Sequence, residues 1–280
     1  MAEQSFYKYD PSIPGSVIAF ILFGVSTIFH TWQLFKEKTW FFTAFLVGAY
    51  MMTLGYIART FSALHTSNLS LFIAQNLFII LPPSLYAATI YMTYGRIVIF
   101  IRKDHLSLIA PKRVTKLFVV GDVAAFILQL AGGGMQTVQS MASAGEKLLI
   151  GGLFVQLLFF AFFLFVAGSF QVRLHQCGYR SGWRDCEDWR RLLHVLFVVS
   201  ALIIARCLFR IVEYAQGYNG YLLRHEVYMY VFDMVPMLVV QVVFHFWYPG
   251  GIITPGGGEG VAGKGVVVDG DEDEVRLRGV

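Results

Sequence analysis

The chain has 280 residues, of which 56% are hydrophobic and only 14% charged, with a net charge of +4. Soluble domains carry about a quarter charged residues, so a water-soluble globular fold is excluded. The modest positive excess suits an anionic inner leaflet and gives no surface for nucleic acid.

Residues 1–13 form a short, polar extracellular N-terminus with no cleavable signal, because the apolar run that follows is long enough to stay as a span. Runs of about 20 apolar residues, the length that crosses a bilayer as a helix, then recur through residues 14–249. The expected spans are Pro14–Leu34, Trp40–Ser62, Leu69–Ile101, Val114–Val138, Leu148–Phe170, Leu192–Tyr214 and Val227–Tyr248. The fold class is therefore an all-α membrane protein, a seven-transmembrane helix bundle. The third run is too long for one straight span. Pro82-Pro83 should kink it, with the freed carbonyls satisfied by neighbouring helices. Trp32, Trp40 and Trp247 read as interfacial belt residues.

Basic residues set the orientation. Lys36, Lys38, Arg102, Lys103, Lys112, Arg113, Arg173, Arg180, Arg184, Arg190 and Arg191 fall in the first, third and fifth connections, against only Lys8, Lys147 and Arg224 on the other side. The N-terminus is expected outside and the C-terminus in the cytosol. Asn68-Leu69-Ser70, a glycosylation sequon, lies on the expected outer side, close to the bilayer. Cys177 and Cys186 fall on the cytosolic side and Cys207 within a helix, so no disulfide framework is expected. Cys177 is an ordinary thiol in this reading, with palmitoylation as its functional alternative.

Residues 250–280 are glycine-rich with an acidic run Asp269–Glu274, and read as a disordered cytosolic tail. Within it Gly258–Gly263 imitates a dinucleotide fingerprint and Gly258–Lys264 a phosphate loop, but neither has the flanking strand and helix that the chemistry requires. His225-Glu226 opens like a zinc-protease helix, yet Met229 stands where the second histidine belongs. No cofactor, no metal and no enzymatic activity are expected.

The informative residues are charges at membrane depth, which cost several kcal/mol (~2.5–3.5 on insertion scales) and rarely lack a partner or a task. Arg206, Arg210 and Glu213 are spaced by four and three, on one face of the sixth span. Glu226, Tyr230, Asp233, Met237 and Gln241 share one face of the seventh. Arg206 and Asp233 each lie roughly 12 Å below the outer boundary at ~1.5 Å of rise per residue, so they can pair. Arg210 and Glu226 match at a shallower depth, and Arg59 can join them. Toward the cytosol Arg96 and Asp122 can pair, with Gln129 continuing that face and Gly132-Gly133-Gly134 allowing close helix approach or a local break. Structural ion pairs locking the bundle are the bland reading; two polar clusters passing a charged head group are the functional one. His30 and His245 read as ordinary interior histidines.

Several of these residues carry a resemblance. Leu22-Phe23-Gly24 with Ser26, Thr27 and His30, Gly55–Arg59, Ala87–Met92 with Gly95-Arg96-Ile97, Lys116 with Phe118-Val119 and Gly121-Asp122, and above all Arg206 through Asp233 resemble the fungal RTA-like family, also called the lipid-translocating exporter family. The likeness runs from about Tyr7 to Gly250; Pro82-Pro83 departs from the Ala-Pro expected there. The resemblance implies a seven-helix plasma-membrane protein that moves sphingoid long-chain bases or related amphiphiles and confers resistance to toxic amphiphiles; some relatives are tied to porphyrin uptake. Membrane lipids are thus the expected partners, and the oligomeric state is left open.

The residue reading assigns transport or binding to Arg59, Arg96, Asp122, Gln129, Arg206, Arg210, Glu213, Glu226, Tyr230 and Asp233. Glu226 and Asp233 attract an ammonium head, Arg206 and Arg210 compete with it, and Asp122 is the inner acceptor with Arg96 as resting partner. A seven-helix receptor or stress sensor is the alternative of a different class. A zinc-dependent ceramide-type hydrolase is disfavoured, since His30, Asp122, His225 and His245 are scattered.

Overall fold

The structure, a computed structural model, describes residues 11–101, 106–135, 139–176, 185–216 and 220–250. Seven of its helices are long and apolar enough to cross a membrane. Their outer surfaces are apolar: Val25, Ile28 and Phe165 are each more than 60% exposed. Such continuous apolar exposure marks a lipid-facing surface rather than a wetted one.

Helix α1 (Ile13–Glu37) starts at Ser12, whose hydroxyl accepts the Gly15 N–H at 3.2 Å, with Pro14 fixing the first turn. It ends where Lys38 turns left-handed at φ 52°. A short 3₁₀ turn, Trp40–Phe42, leads into α2 (Thr43–Leu64). Asn68 caps α3 (Leu69–Ile80) through its side-chain oxygen, and α4 (Pro82–Phe100) follows after Leu81. The expected third run is thus two helices meeting at Pro82-Pro83. Pro83 lacks the N–H that would bond Ile79 four residues back, so the Ile79 carbonyl is released from the helix.

Helices α5 (Pro111–Met135) and α6 (Ala142–Gln176) pack along a glycine seam. A Cβ on Gly132 would stand 2.6 Å from the Leu149 nitrogen and 2.7 Å from the Gly145 oxygen; one on Gly152 would meet the Ala125 oxygen at 2.9 Å. Of the two outcomes expected of Gly132–Gly134, the structure takes close approach, since α5 runs through to Met135.

Helix α7 (Asp185–Ala215) begins a full two turns before the expected Leu192, and α6 overshoots the expected span at both ends. The seventh span is broken: α8 (Tyr221–Arg224) precedes it, and α9 (Glu226–Met229), a π-helical turn at Tyr230–Met234 and α10 (Val235–Phe246) compose it. At that turn the Val235 N–H reaches Tyr230, five residues back. Pro236, without an N–H, leaves the next ordinary bond unmade. Such single π turns recur at functional sites. The expected tail at 250–280 (beyond Gly250), the palmitoylation candidate Cys177 and the first ten residues lie outside the described residues.

Candidate functional site

Six charged side chains gather where α2, α7 and the seventh span meet. The π turn carries Asp233, fully buried, into contact with two arginines of α7. One carboxylate oxygen pairs with Arg206 Nε and the other with Arg210 Nη2. Arg210 Nη1 also donates to Glu213 at 2.7 Å, one turn along its own helix. Arg206 spends its other arm on the released Ile79 carbonyl, donating at 2.7 Å. A guanidinium suits this position because its rigid fork serves a carboxylate and a carbonyl together.

Glu226 closes the end of the network at the start of the seventh span. It accepts from Arg59 Nη2 at 2.8 Å, from the Ser12 N–H at 2.7 Å and from the Tyr230 hydroxyl at 3.1 Å. One carboxylate thereby joins the start of α1, the end of α2 and the seventh span. Three arginines (59, 206, 210) face three carboxylates (213, 226, 233), so the network is balanced in charge. Its least enclosed acid is Glu226, whose side chain is 10% exposed against 5% for Glu213 and none for Asp233.

The expected Arg206–Asp233 pair is formed. Arg210 reaches Asp233 and Glu213 rather than the depth-matched Glu226, because the five-residue π turn adds a residue to the seventh span and swings Asp233 toward it. Glu226 instead takes Arg59. Met237 and Gln241 continue the buried face, as their spacing requires.

The inner cluster differs from expectation. Arg96 forms no ion pair with Asp122: its guanidinium lies 4.1 Å over the Phe41 ring, a cation–π contact. Asp122 is buried in α5 with neither oxygen hydrogen-bonded, and the buried Tyr91 hydroxyl beside it is also without a partner of acceptable geometry. Gln129 belongs to a separate chain, donating to Gln156 at 2.8 Å, which donates to Ser84 at 3.0 Å. This chain ties α5 and α6 to the first turn of α4. No group of three or more metal-ligating side chains gathers among the described residues.

A contact the spacing did not announce joins His30 of α1 to His245 of α10. Their rings stack at 3.8 Å with 19° between planes. The signal was present only as two histidines at matching distances from the expected cytosolic boundary.

The sequence pattern of the family described as RTA1 like protein matches residues 45–256, which include all ten candidate residues. The chain belongs to that family. It is 40% identical to protoporphyrin uptake protein 1 of Saccharomyces cerevisiae over 72% of this chain and 67% of the relative. Protein RTA1 of the same yeast is 32% identical, covering 89% of this chain and 87% of its own. The yeast sphingoid long-chain base transporter RSB1 is 22% identical over 86% and 72%. No solved structure matches. This RTA1-like chain is thus an integral membrane protein of a family that includes named lipid transporters.

Proposed function

We propose that this RTA1-like protein moves sphingoid long-chain bases or related cationic amphiphiles across the plasma membrane, toward the outer leaflet. The observation that carries the reading is the balanced network of three arginines and three carboxylates, closed against lipid and least closed at Glu226. An ammonium head is a chemical substitute for a guanidinium arm. It takes the place of Arg59 at Glu226, so the buried carboxylate stays paired as the head enters, while Arg59 keeps the face of the Tyr230 ring 5.8 Å away. Asp233, held by two arginines, is the deeper partner, and Tyr230 hands the head from one acid to the other. The alkyl chain stays in lipid between helices. Because each acid has a competing arginine, the head is released rather than trapped. Asp122 serves as the inner acceptor. The name of the sphingoid-base relative supports this cargo class.

The test is protein-dependent flux of a labelled sphingoid base in proteoliposomes. Glu226→Gln, at the least buried acid, should reduce flux at least tenfold while the protein stays folded, and Asp233→Asn should reduce it too. Normal flux through well-folded variants of both acids would remove this assignment.

A second reading rests on the relative named for protoporphyrin uptake. A porphyrin presents carboxylates, so it would pair with Arg59 or Arg210 rather than with the acids. Arg59→Gln then abolishes porphyrin movement, whereas Glu226→Gln abolishes that of the sphingoid base.

A further inference from the structure

The stacked histidines sit in a polar file that continues the arginine–carboxylate network toward the opposite end of the bundle. An open recess of about 250 Å³, lined by Trp32, Gln33, Lys36, Glu37, Phe246 and Tyr248, opens at that end. Gln33 leads inward from it: its amide donates to the His245 carbonyl at 3.2 Å, and its oxygen faces His245 Nδ1 at 3.4 Å. His245 Nε2 meets the Ser26 hydroxyl at 2.9 Å. His30, against His245, bonds the Gln241 carbonyl through Nε2 at 3.1 Å, and the Gln241 amide donates to the Tyr86 hydroxyl at 2.7 Å. Tyr86 lies within reach of the Arg206 charge, where the arginine–carboxylate network begins.

Hydrogen-bond chemistry assigns the protons. A carbonyl only accepts, so His30 carries its proton on Nε2 and its Nδ1 is a bare lone pair. That atom is buried and has no hydrogen-bond partner among the described residues. His245, by contrast, has both nitrogens engaged, Nδ1–H toward Gln33 and Nε2 accepting from Ser26. The rings of Phe42, in the 3₁₀ turn, and of Phe45, in the first turn of α2, also pack against His30. The charged groups Lys36 and Glu37 lie two turns on at the recess, and Arg206 lies beyond Tyr86. Two imidazolium rings at a stacking distance repel strongly away from water, so the pair has room for one added proton, and His30 Nδ1 is the vacant place for it. Histidine relays of this kind mark proton paths inside membrane proteins.

We propose that the His30–His245 pair is a proton-binding site that couples the movement of cargo to the movement of a proton through this file. The inference rests on the transport reading above for its coupling, though not for the site itself. A proton adds to the lone pair of His30 Nδ1, the ring becomes imidazolium while Nε2–H stays on the Gln241 carbonyl, and loss of that proton from Nδ1 restores the neutral ring. One proton inward for one ammonium outward moves no net charge, so the exchange is electroneutral and its driving force is the pH difference.

Two measurements test the site and the coupling separately. Nitrogen-15 spectra of histidine-labelled protein in nanodiscs, titrated from pH 9 to pH 4, should show the pair taking up one proton, with the His30 signal altered by His245→Gln. A pair that takes up none, or two independently, overturns the site. In proteoliposomes, a pH difference of one unit, acid on the side opposite the recess, should raise sphingoid-base flux several-fold in the intact protein, and His30→Gln should remove that response. Flux indifferent to the gradient overturns the coupling and leaves transport standing. A one-proton pair with no flux at all keeps the site and removes the transport reading.

Discussion

Asp233→Asn tests whether the arginine–carboxylate network is an energetic unit. The substitution keeps the size of the side chain and removes the charge that two buried arginines share. Arg206 keeps the Ile79 carbonyl and Arg210 keeps Glu213, so neither is stranded completely. Removing one member of a buried pair costs about 3–5 kcal/mol in soluble proteins. Polar contacts within membranes average ~0.6 and reach ~1.7 kcal/mol each, and Asp233 makes two of them. The expected loss is about 2–3 kcal/mol, measured by SDS-driven unfolding in mixed micelles. Charge balance gives a sharper expectation. Arg206→Gln on top of Asp233→Asn restores equal numbers of positive and negative groups. The double variant should therefore be more stable than the sum of the single losses by about 1–2 kcal/mol, the size of coupling seen between contacting residues. A single-variant loss below ~0.5 kcal/mol with no coupling would refute an ion network that supports the bundle.

Other expectations are independent of that network. Gly132→Ala should separate α5 from α6 and cost about 1–3 kcal/mol, because its Cβ would press on backbone atoms at 2.6–2.7 Å. Gly151→Ala, with nothing within 4 Å of its Cβ, should be neutral or gain up to ~1 kcal/mol from helix propensity, read in the same unfolding assay. Gln156→Leu breaks the chain from Gln129 to Ser84 and should lower stability by about 1 kcal/mol. In a background with Cys177 and Cys186 replaced by serine, the buried Cys207 should react with a maleimide only on unfolding; rapid labelling of folded protein would contradict its place in the core.

Much of the bundle was legible because lipid imposes a simple rule: a span must be long, apolar and internally hydrogen-bonded. The seven spans and the break at Pro82-Pro83 follow from that rule, whereas Gly132–Gly134 allowed either close approach or a local break and the packing of α5 on α6 decides between them. Depth arithmetic found Arg206 with Asp233 because both residues lie on helix faces whose period is fixed. It failed for Arg210 because a π turn changes the period locally, and only Pro236 hinted at one. It failed for Arg96 because depth says nothing about rotation about the axis: Arg96 turns to Phe41, leaving Asp122 facing Tyr91. The histidine stack was illegible for a related reason, since two residues at one depth meet only if their helices face each other.

Ile79 and Arg206 stand 127 positions apart in the chain, yet a proline decides whether they need each other. Pro83 makes the orphan carbonyl, and the arginine that covers it is the same one that holds Asp233. The two residues should therefore be inherited together. A descendant that exchanged Pro83 for an alanine would regain the helical bond and loosen the demand for an arginine at 206. One that exchanged Arg206 for lysine would cover the carbonyl or the carboxylate, and lose the other. The kink and the charge network are, for the purposes of mutation, one heritable trait.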